Sequence, residues 1–182
     1  ITVVPSLNGC SGNSSNYTIT VNPVATVSLP ANIEICAGST VAASNFISVP
    51  SGAVFSWTNS DPSIGLSSSG NGNITSFTAI NAGLSSVTST LSILPTYNGC
   101  PGTSGSYTVK VKPIPSVSTL PNISLCSGAL SSSVNFSSTL PGSTFNWTNS
   151  NSTIGLAASG TGSIPTFTSS NTGVNPVIAA VQ

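Results

Sequence analysis

Charge is almost missing from this sequence. Glu34, Asp61, Lys110 and Lys112 are the only Asp, Glu, Lys or Arg residues among 182, and there is no histidine. Two lysines cannot supply the phosphate contacts on which nucleic-acid affinity depends, so no nucleic-acid partner is expected. The same shortage excludes a polybasic membrane patch. No apolar run approaches the roughly 20 residues of a spanning helix, so no membrane insertion is expected. General acid–base catalysis draws on histidine or on paired carboxylates with tuned pKa values. The many serines have no base to activate them. No catalytic residue is assigned, and the chain is read as non-enzymatic. Calcium takes several carboxylates, and zinc a closer cluster of Cys and His, so no metal or other cofactor is assigned either. Methionine is also absent and the first residue is Ile1, which fits a processed product or a window of a longer polypeptide.

What fills the space is Ser, Thr, Asn and Gly around a hydrophobic fraction of 38%. That fraction is enough to build a core. Hydroxyl and amide polarity suits strands and turns, whereas helix surfaces use the Glu, Lys, Gln and Arg that are scarce here.

The pattern repeats. Asn8-Gly9-Cys10 returns as Asn98-Gly99-Cys100, and Cys36 returns as Cys126 at the same offset of 90. Phe55-x-Trp57-Thr58-Asn59-Ser60 returns as Phe145-x-Trp147-Thr148-Asn149-Ser150, and Ile64-Gly65-Leu66 as Ile154-Gly155-Leu156. Ser69-Gly70-x-Gly72 matches Ser159-Gly160-x-Gly162, and Phe77-Thr78 matches Phe167-Thr168. No gap is needed, and roughly 40% of aligned positions are identical, the mark of a tandem duplication. Glu34 and Asp61 become Ser124 and Asn151 in the other copy, so a catalytic carboxylate pair is not shared by the copies.

The division expected is 1–22 as the C-terminal hairpin of a preceding module, 23–113 as a complete module, and 114–182 as a second module lacking its last strands. Either the chain is a window of a continuous array, or residues 1–22 complete the last module of a neighbouring molecule by strand exchange. The expected partners are therefore neighbouring modules or other copies of the chain.

Within one repeat, short β-branched and aromatic runs alternate between Gly, Pro, Asn and Ser clusters. Strands are expected over Tyr17–Val21, Val24–Leu29, Ile33–Cys36, Val41–Ile47, Val54–Trp57, Ile64–Leu66, Ile74–Ile80, Val87–Leu94 and Tyr107–Val111. Ser67–Asn73 reads as a turn, and Asn98–Gly102 as a hairpin. Seven or so strands with turns every 8–12 residues make an immunoglobulin-like β-sandwich, so the fold class is all-β, built of tandem modules of about 90 residues. Trp57 and Trp147, flanked by Phe55 and Phe145 and accompanied by Phe77 and Phe167, are the expected core anchors. Lys110 and Lys112, two apart on one strand face, are expected to guard an exposed sheet edge.

Cys10, Cys36, Cys100 and Cys126 form no CxxC pair, and disulfides are their expected state, with an extracellular setting to match. Cys36–Cys100 within one module, leaving Cys10 and Cys126 to neighbouring modules, is preferred. Cys10–Cys36 with Cys100–Cys126 is the alternative.

The run Phe-x-Trp-Thr-Asn-Ser, then Ile-Gly-Leu, then Ser-Gly-x-Gly-x-Ile, with Cys-x-Gly upstream and Asn-Gly-Cys near the end, resembles the PKD-like modules of Bacteroidota surface proteins. Those modules occur in tandem in giant adhesins, including the SprB-type gliding adhesins, exported by type IX secretion. The resemblance covers both copies. It implies an immunoglobulin-like sandwich, a bacterial cell-surface location, and a stalk or spacer role in adhesion or gliding. Ordinary PKD domains carry an acidic Trp-Asp-Phe-Gly-Asp-Gly run, whereas Thr-Asn-Ser follows Trp57 and Trp147 here, so no role of those acidic residues carries over. A glycan-binding module is the alternative, with exposed aromatics such as Tyr97 as its platform.

Overall fold

The computed structural model describes all 182 residues. They divide into two compact units, Ile1–Pro113 and Ile114–Gln182. Strands, turns and two short 3-10 turns make up both, with no α-helix. No helix is long and apolar enough to cross a membrane.

The first unit opens with a small hairpin. β1 (Thr2–Val3) pairs with β4 (Ser15–Asn16), and β2 (Ser6–Leu7) with β3 (Cys10–Ser11). Asn8 and Gly9, at φ 49 and 84, form its two-residue turn, as an Asn-Gly pair does in a type I′ turn. Residues 1–21 are all exposed. The strand expected over Tyr17–Val21 does not form. Its alternating apolar residues have no neighbouring strand to pair with, and an isolated strand is not stable alone.

The rest of the unit is a β-sandwich. One sheet runs in the order β10 (Ser69–Asn71), β9 (Val54–Asn59), β12 (Val87–Tyr97), β14 (Gly105–Lys112), β6 (Ile33–Cys36), and β13 (Cys100–Pro101) folds back on the end of β12. Its neighbours are antiparallel except β14 and β6, which run parallel with Val109 opposite Ile33 and Lys112 opposite Cys36. The facing layer is made of short pairs: β5 (Thr26–Ser28) with β8 (Ile47–Val49), and β7 (Thr40–Val41) with β11 (Phe77–Thr78), the latter pair continued by a bridge between Ser44 and Ile74. Period-two patterning sends alternate residues inward. Leu91 and Ile93 of β12 and Tyr107, Val109 and Val111 of β14 are buried against Val41, Phe46, Trp57, Ile64 and Ile74.

Other expectations change as well. The strand expected over Val41–Ile47 is not continuous: β7 ends at Val41 and β8 begins at Ile47. Ile64-Gly65-Leu66 is not a strand. Pro62–Ile64 is a 3-10 turn, started by Asp61, whose carboxylate accepts from the Ser63 N–H at 3.0 Å, and ended by Gly65 at φ 95. Ser67–Asn73 is more than a turn, because Ser69–Asn71 pairs with β9 as an edge strand. Lys110 and Lys112 do not guard an edge. β6 covers their strand, so the edge belongs to Ile33–Cys36, an addition from distant sequence that local pattern does not reveal.

The second unit repeats the inner half of this plan. β15 (Asn146–Thr148) pairs with β16 (Ser159–Thr161), and bridges join Leu130 to Thr168 and Val134 to Ile164. Trp147, Leu156 and Ile164 form its core, with Phe136, Ile154 and Phe167 packed around them. A bridge between Asn149 and Val181, with Gln182 exchanging backbone hydrogen bonds with Thr148, starts a further strand beside β15. Residues 123–126, the counterpart of β6, are not in a strand.

Candidate functional site

The recurring Trp-Thr-Asn run builds a structural centre in each unit. Trp57 and Trp147 lie on central strands with 8% and 5% of their surface exposed. Neither offers a face for stacking on a sugar. Opposite each stands a glycine, Gly70 across from Trp57 and Gly160 across from Trp147. A Cβ at either glycine would run into the indole ring. The glycines therefore make room for the tryptophans, a strand role that glycine takes where another group approaches closely. The indole N–H of both tryptophans is buried without an acceptor.

The Asn of the run was not singled out by sequence reasoning, yet it does the most polar work. Asn59 is buried, and its amide donates to the carbonyls of Leu66 at 2.8 Å and Ser67 at 3.2 Å. Its carbonyl accepts from the Asp61 N–H at 3.2 Å and from the Ser89 hydroxyl. Asn149 repeats three of these contacts, donating to Leu156 at 3.0 Å and Ala157 at 3.3 Å and accepting from the Asn151 N–H at 3.0 Å. Each Asn thus ties its central strand to the Ile-Gly-Leu loop that follows. The signal was available: the residue recurs in both copies directly after a core tryptophan.

Phe55, Phe77, Phe145 and Phe167 sit at less central positions. Phe55 is half-buried and meets Phe46 edge-on at 5.6 Å, and Phe145 meets Phe136 at 5.5 Å. Phe77 is packed against the first core, and Phe167 against the second. In the first unit Tyr107 adds a polar tie, its hydroxyl 3.0 Å from the Ser44 hydroxyl. Burial pushes the Tyr107 phenol above its ordinary pKa, and the Ser44 hydrogen bond opposes that in part.

Three of the four charges meet on the outer face of the sheet. Lys112 lies 2.6 Å from the Glu34 carboxylate and Lys110 3.7 Å. The hydrogen bond from Lys112, then the charge of Lys110, holds the Glu34 carboxyl below the ordinary carboxylate range. The same contact raises the Lys112 ammonium. Such exposed pairs contribute little to stability. The fourth charge, Asp61, is held low by its hydrogen bonds to Ser63. Nowhere do three His, Cys, Asp or Glu side chains come together.

The cysteines are four free thiols, with Cys10, Cys36 and Cys126 exposed and Cys100 half-buried. The Cys36–Cys100 bridge expected from the sequence is not formed, and sheet geometry gives the reason. Cys36 pairs with Lys112 at one end of β14, while Cys100 lies five residues before Gly105 at the other end. At about 3.3 Å per residue, the strand alone separates them by roughly 23 Å. A disulfide needs Cα atoms within about 7 Å. Cys100 instead lies 3.8 Å from the Asn22 amide.

Two concavities of similar size, about 500 and 440 Å³, lie in the second unit. The larger opens among Ile123, Leu125, Leu156, Phe167, Val177 and Val181. Its lining mixes these apolar side chains with Ser124, Ser127, Ser169, Ser170 and Asn171, and carries no titratable side chain.

Residues 33–115 match the PKD-like domain family. That part of the first unit is similar to a PKD-like domain. The match runs from β6 through β14, so it takes in the whole larger sheet and the Trp57–Gly70 and Asn59 centre. No curated protein matches the chain.

Proposed function

We propose that this chain is a structural repeat segment of a long secreted protein of the bacterial cell surface, an adhesin or filament in which PKD-like modules act as stalk or spacer for adhesion or gliding. The observation that carries this reading is the repetition itself. What the two copies share residue for residue is packing: a tryptophan on a glycine, an asparagine tying down a loop, and a capped 3-10 turn. A binding or catalytic protein would share polar groups turned outward, whereas the charged residues Glu34 and Asp61 have no charged counterpart at Ser124 and Asn151. The burial of both tryptophans weighs against the glycan-binding alternative.

Antibody raised against the chain tests the proposal on intact source cells. Surface labelling by immunogold, together with a native polypeptide far heavier than 18.0 kDa on an immunoblot, is the expected result. Label confined to the cytoplasm would overturn the reading.

A further inference from the structure

An asparagine side chain is open to attack by the backbone nitrogen that follows it, and most open when the next residue is glycine, which puts no side chain in the way. The chain holds three such pairs: Asn8-Gly9, Asn71-Gly72 and Asn98-Gly99. The last two lie in the sandwich of the first unit, and the fold places them in opposite conditions.

Asn98 and Gly99 are the exposed turn between β12 and β13, at φ 48 and 79, with Tyr97 paired opposite Cys100 on either side. The Gly99 N–H donates to no acceptor, and a Cβ placed on Gly99 would meet open space. The Asn98 side chain has one contact, its amide donating to the Asn22 side-chain oxygen at 3.2 Å. Asn22 turns its own amide to the Cys100 sulfur at 3.8 Å. Asn71, by contrast, ends β10 and is paired opposite Ser56. The Gly72 N–H donates to the Phe55 carbonyl at 2.8 Å, so the nitrogen that would attack is already engaged.

We infer that Asn98 is a site of self-modification, its turn converting with time to aspartyl and isoaspartyl forms, while Asn71 is spared. A bond forms between the Gly99 nitrogen and Asn98 Cγ, and the bond from Cγ to Nδ2 breaks. The Gly99 proton leaves with Nδ2 as ammonia, and a cyclic imide remains. Water then opens the ring. Addition at the side-chain carbonyl gives aspartate, and addition at the backbone carbonyl gives isoaspartate, whose main chain runs through the side chain and is longer by one carbon. The two reacting groups are neighbours in one turn, so no encounter has to be arranged. Each product adds a negative charge to a chain of zero formal net charge, and removes the donor that Asn98 offers Asn22. The isoaspartyl form also lengthens a two-residue turn. Turn length fixes hairpin register, so the pairing of Tyr97 with Cys100 should be lost with it. This inference does not depend on the cell-surface reading above.

The test incubates the folded 182-residue chain at mildly alkaline pH, with Asn8→Gln to remove the third pair, whose turn has the same φ values of 49 and 84. Peptide mapping follows Asn71 and Asn98, and isoaspartyl methyltransferase labelling counts the rearranged product. Asn98 should convert about tenfold faster than Asn71 or more, the order of what one closed backbone hydrogen bond is worth. In urea, with both turns open, the two rates should converge. Asn98→Gln should remove the fast product and leave Trp57 fluorescence unchanged. Equal rates in the folded chain would overturn the inference, as would an Asn98 that stays intact for as long as the unfolded chain takes to convert. A rate gap that persists in urea would overturn it too, by showing that neighbouring sequence and not the fold sets the difference, and so would a fast product that survives Asn98→Gln.

Discussion

Asn59→Ala should unfold the first unit far more readily than a change at any surface polar residue. Asn59 makes two buried hydrogen bonds, to the Leu66 carbonyl at 2.8 Å and with Ser89, and two half-buried ones, to the Ser67 carbonyl and from the Asp61 N–H. A buried bond is worth about 1 kcal/mol net and a half-buried one about half that, while a buried carbonyl left without a donor costs about 1 kcal/mol more. The total is about 4 kcal/mol. For a domain of this size each kcal/mol moves the melting temperature by about 4–8 °C, so the transition should fall by at least 15 °C, on the order of magnitude these values allow. Urea denaturation followed by Trp57 fluorescence, with Trp147→Phe to silence the second unit, isolates the event. The midpoint should move with an unchanged slope, the sign of lost stability in an unaltered fold. Asn59→Asp keeps the acceptor oxygens but turns a carboxylate toward two carbonyls, so it should be no milder. A loss below about 1 kcal/mol for Asn59→Ala would refute the view that this side chain pins the loop.

Gly70→Ala places a methyl group against the Trp57 ring and should cost about 1–3 kcal/mol as an overpacked core does, with a shifted Trp57 emission maximum. Gly160→Ala should do the same to Trp147 in the second unit. Tyr107→Phe removes the Ser44 contact and should lower stability by about 1 kcal/mol in urea titration. Because the Tyr107 phenol is raised in the folded state, its contribution is complete below pH 10 and is lost as pH rises through the folded value. Tyr107→Phe should flatten that alkaline decline. Alkylation of the unreduced native chain followed by intact mass should label four thiols, Cys100 last because it is half-buried, and a chain refusing two labels would contradict the open arrangement.

The parts of this fold that could be read from sequence are those where a local pattern meets its own consequence. Tyr107 to Val111 alternates and is a strand with its apolar side inward, and Asn98-Gly99 is a two-residue turn closing β12 on β13. The same alternation at Tyr17 to Val21 yields no strand, because alternation names an inward face but not a partner. The parallel pairing of Ile33–Cys36 with β14 joins residues 76 positions apart, beyond the reach of any local rule. That pairing also turned the lysine pair from an edge guard into a partner of Glu34. Pro62–Ile64 differs from its expected strand for another reason. Asp61 before Pro62, with Gly65 behind, is a start and stop signal for a helical turn, while two apolar residues around a glycine carry the pattern of a short strand. The centre formed by Trp57, Asn59 and Gly70 was half visible: repetition marked all three positions, but only contact geometry tells which residue makes room and which one ties.

In the proposed stalk role, the parallel contact between β6 and β14 would decide how the module answers tension. Pull enters the sandwich from the side of β5 and β6 and leaves through Lys112, the last residue of β14. Because the two strands point the same way, the load drags Ile33–Cys36 backward and Val109–Lys112 forward along their common length. All four register pairs resist together in shear, and none can be peeled open alone. Survival of a pulled module is set by its rate of giving way, and loading the hydrogen bonds of this one seam in concert keeps that rate low.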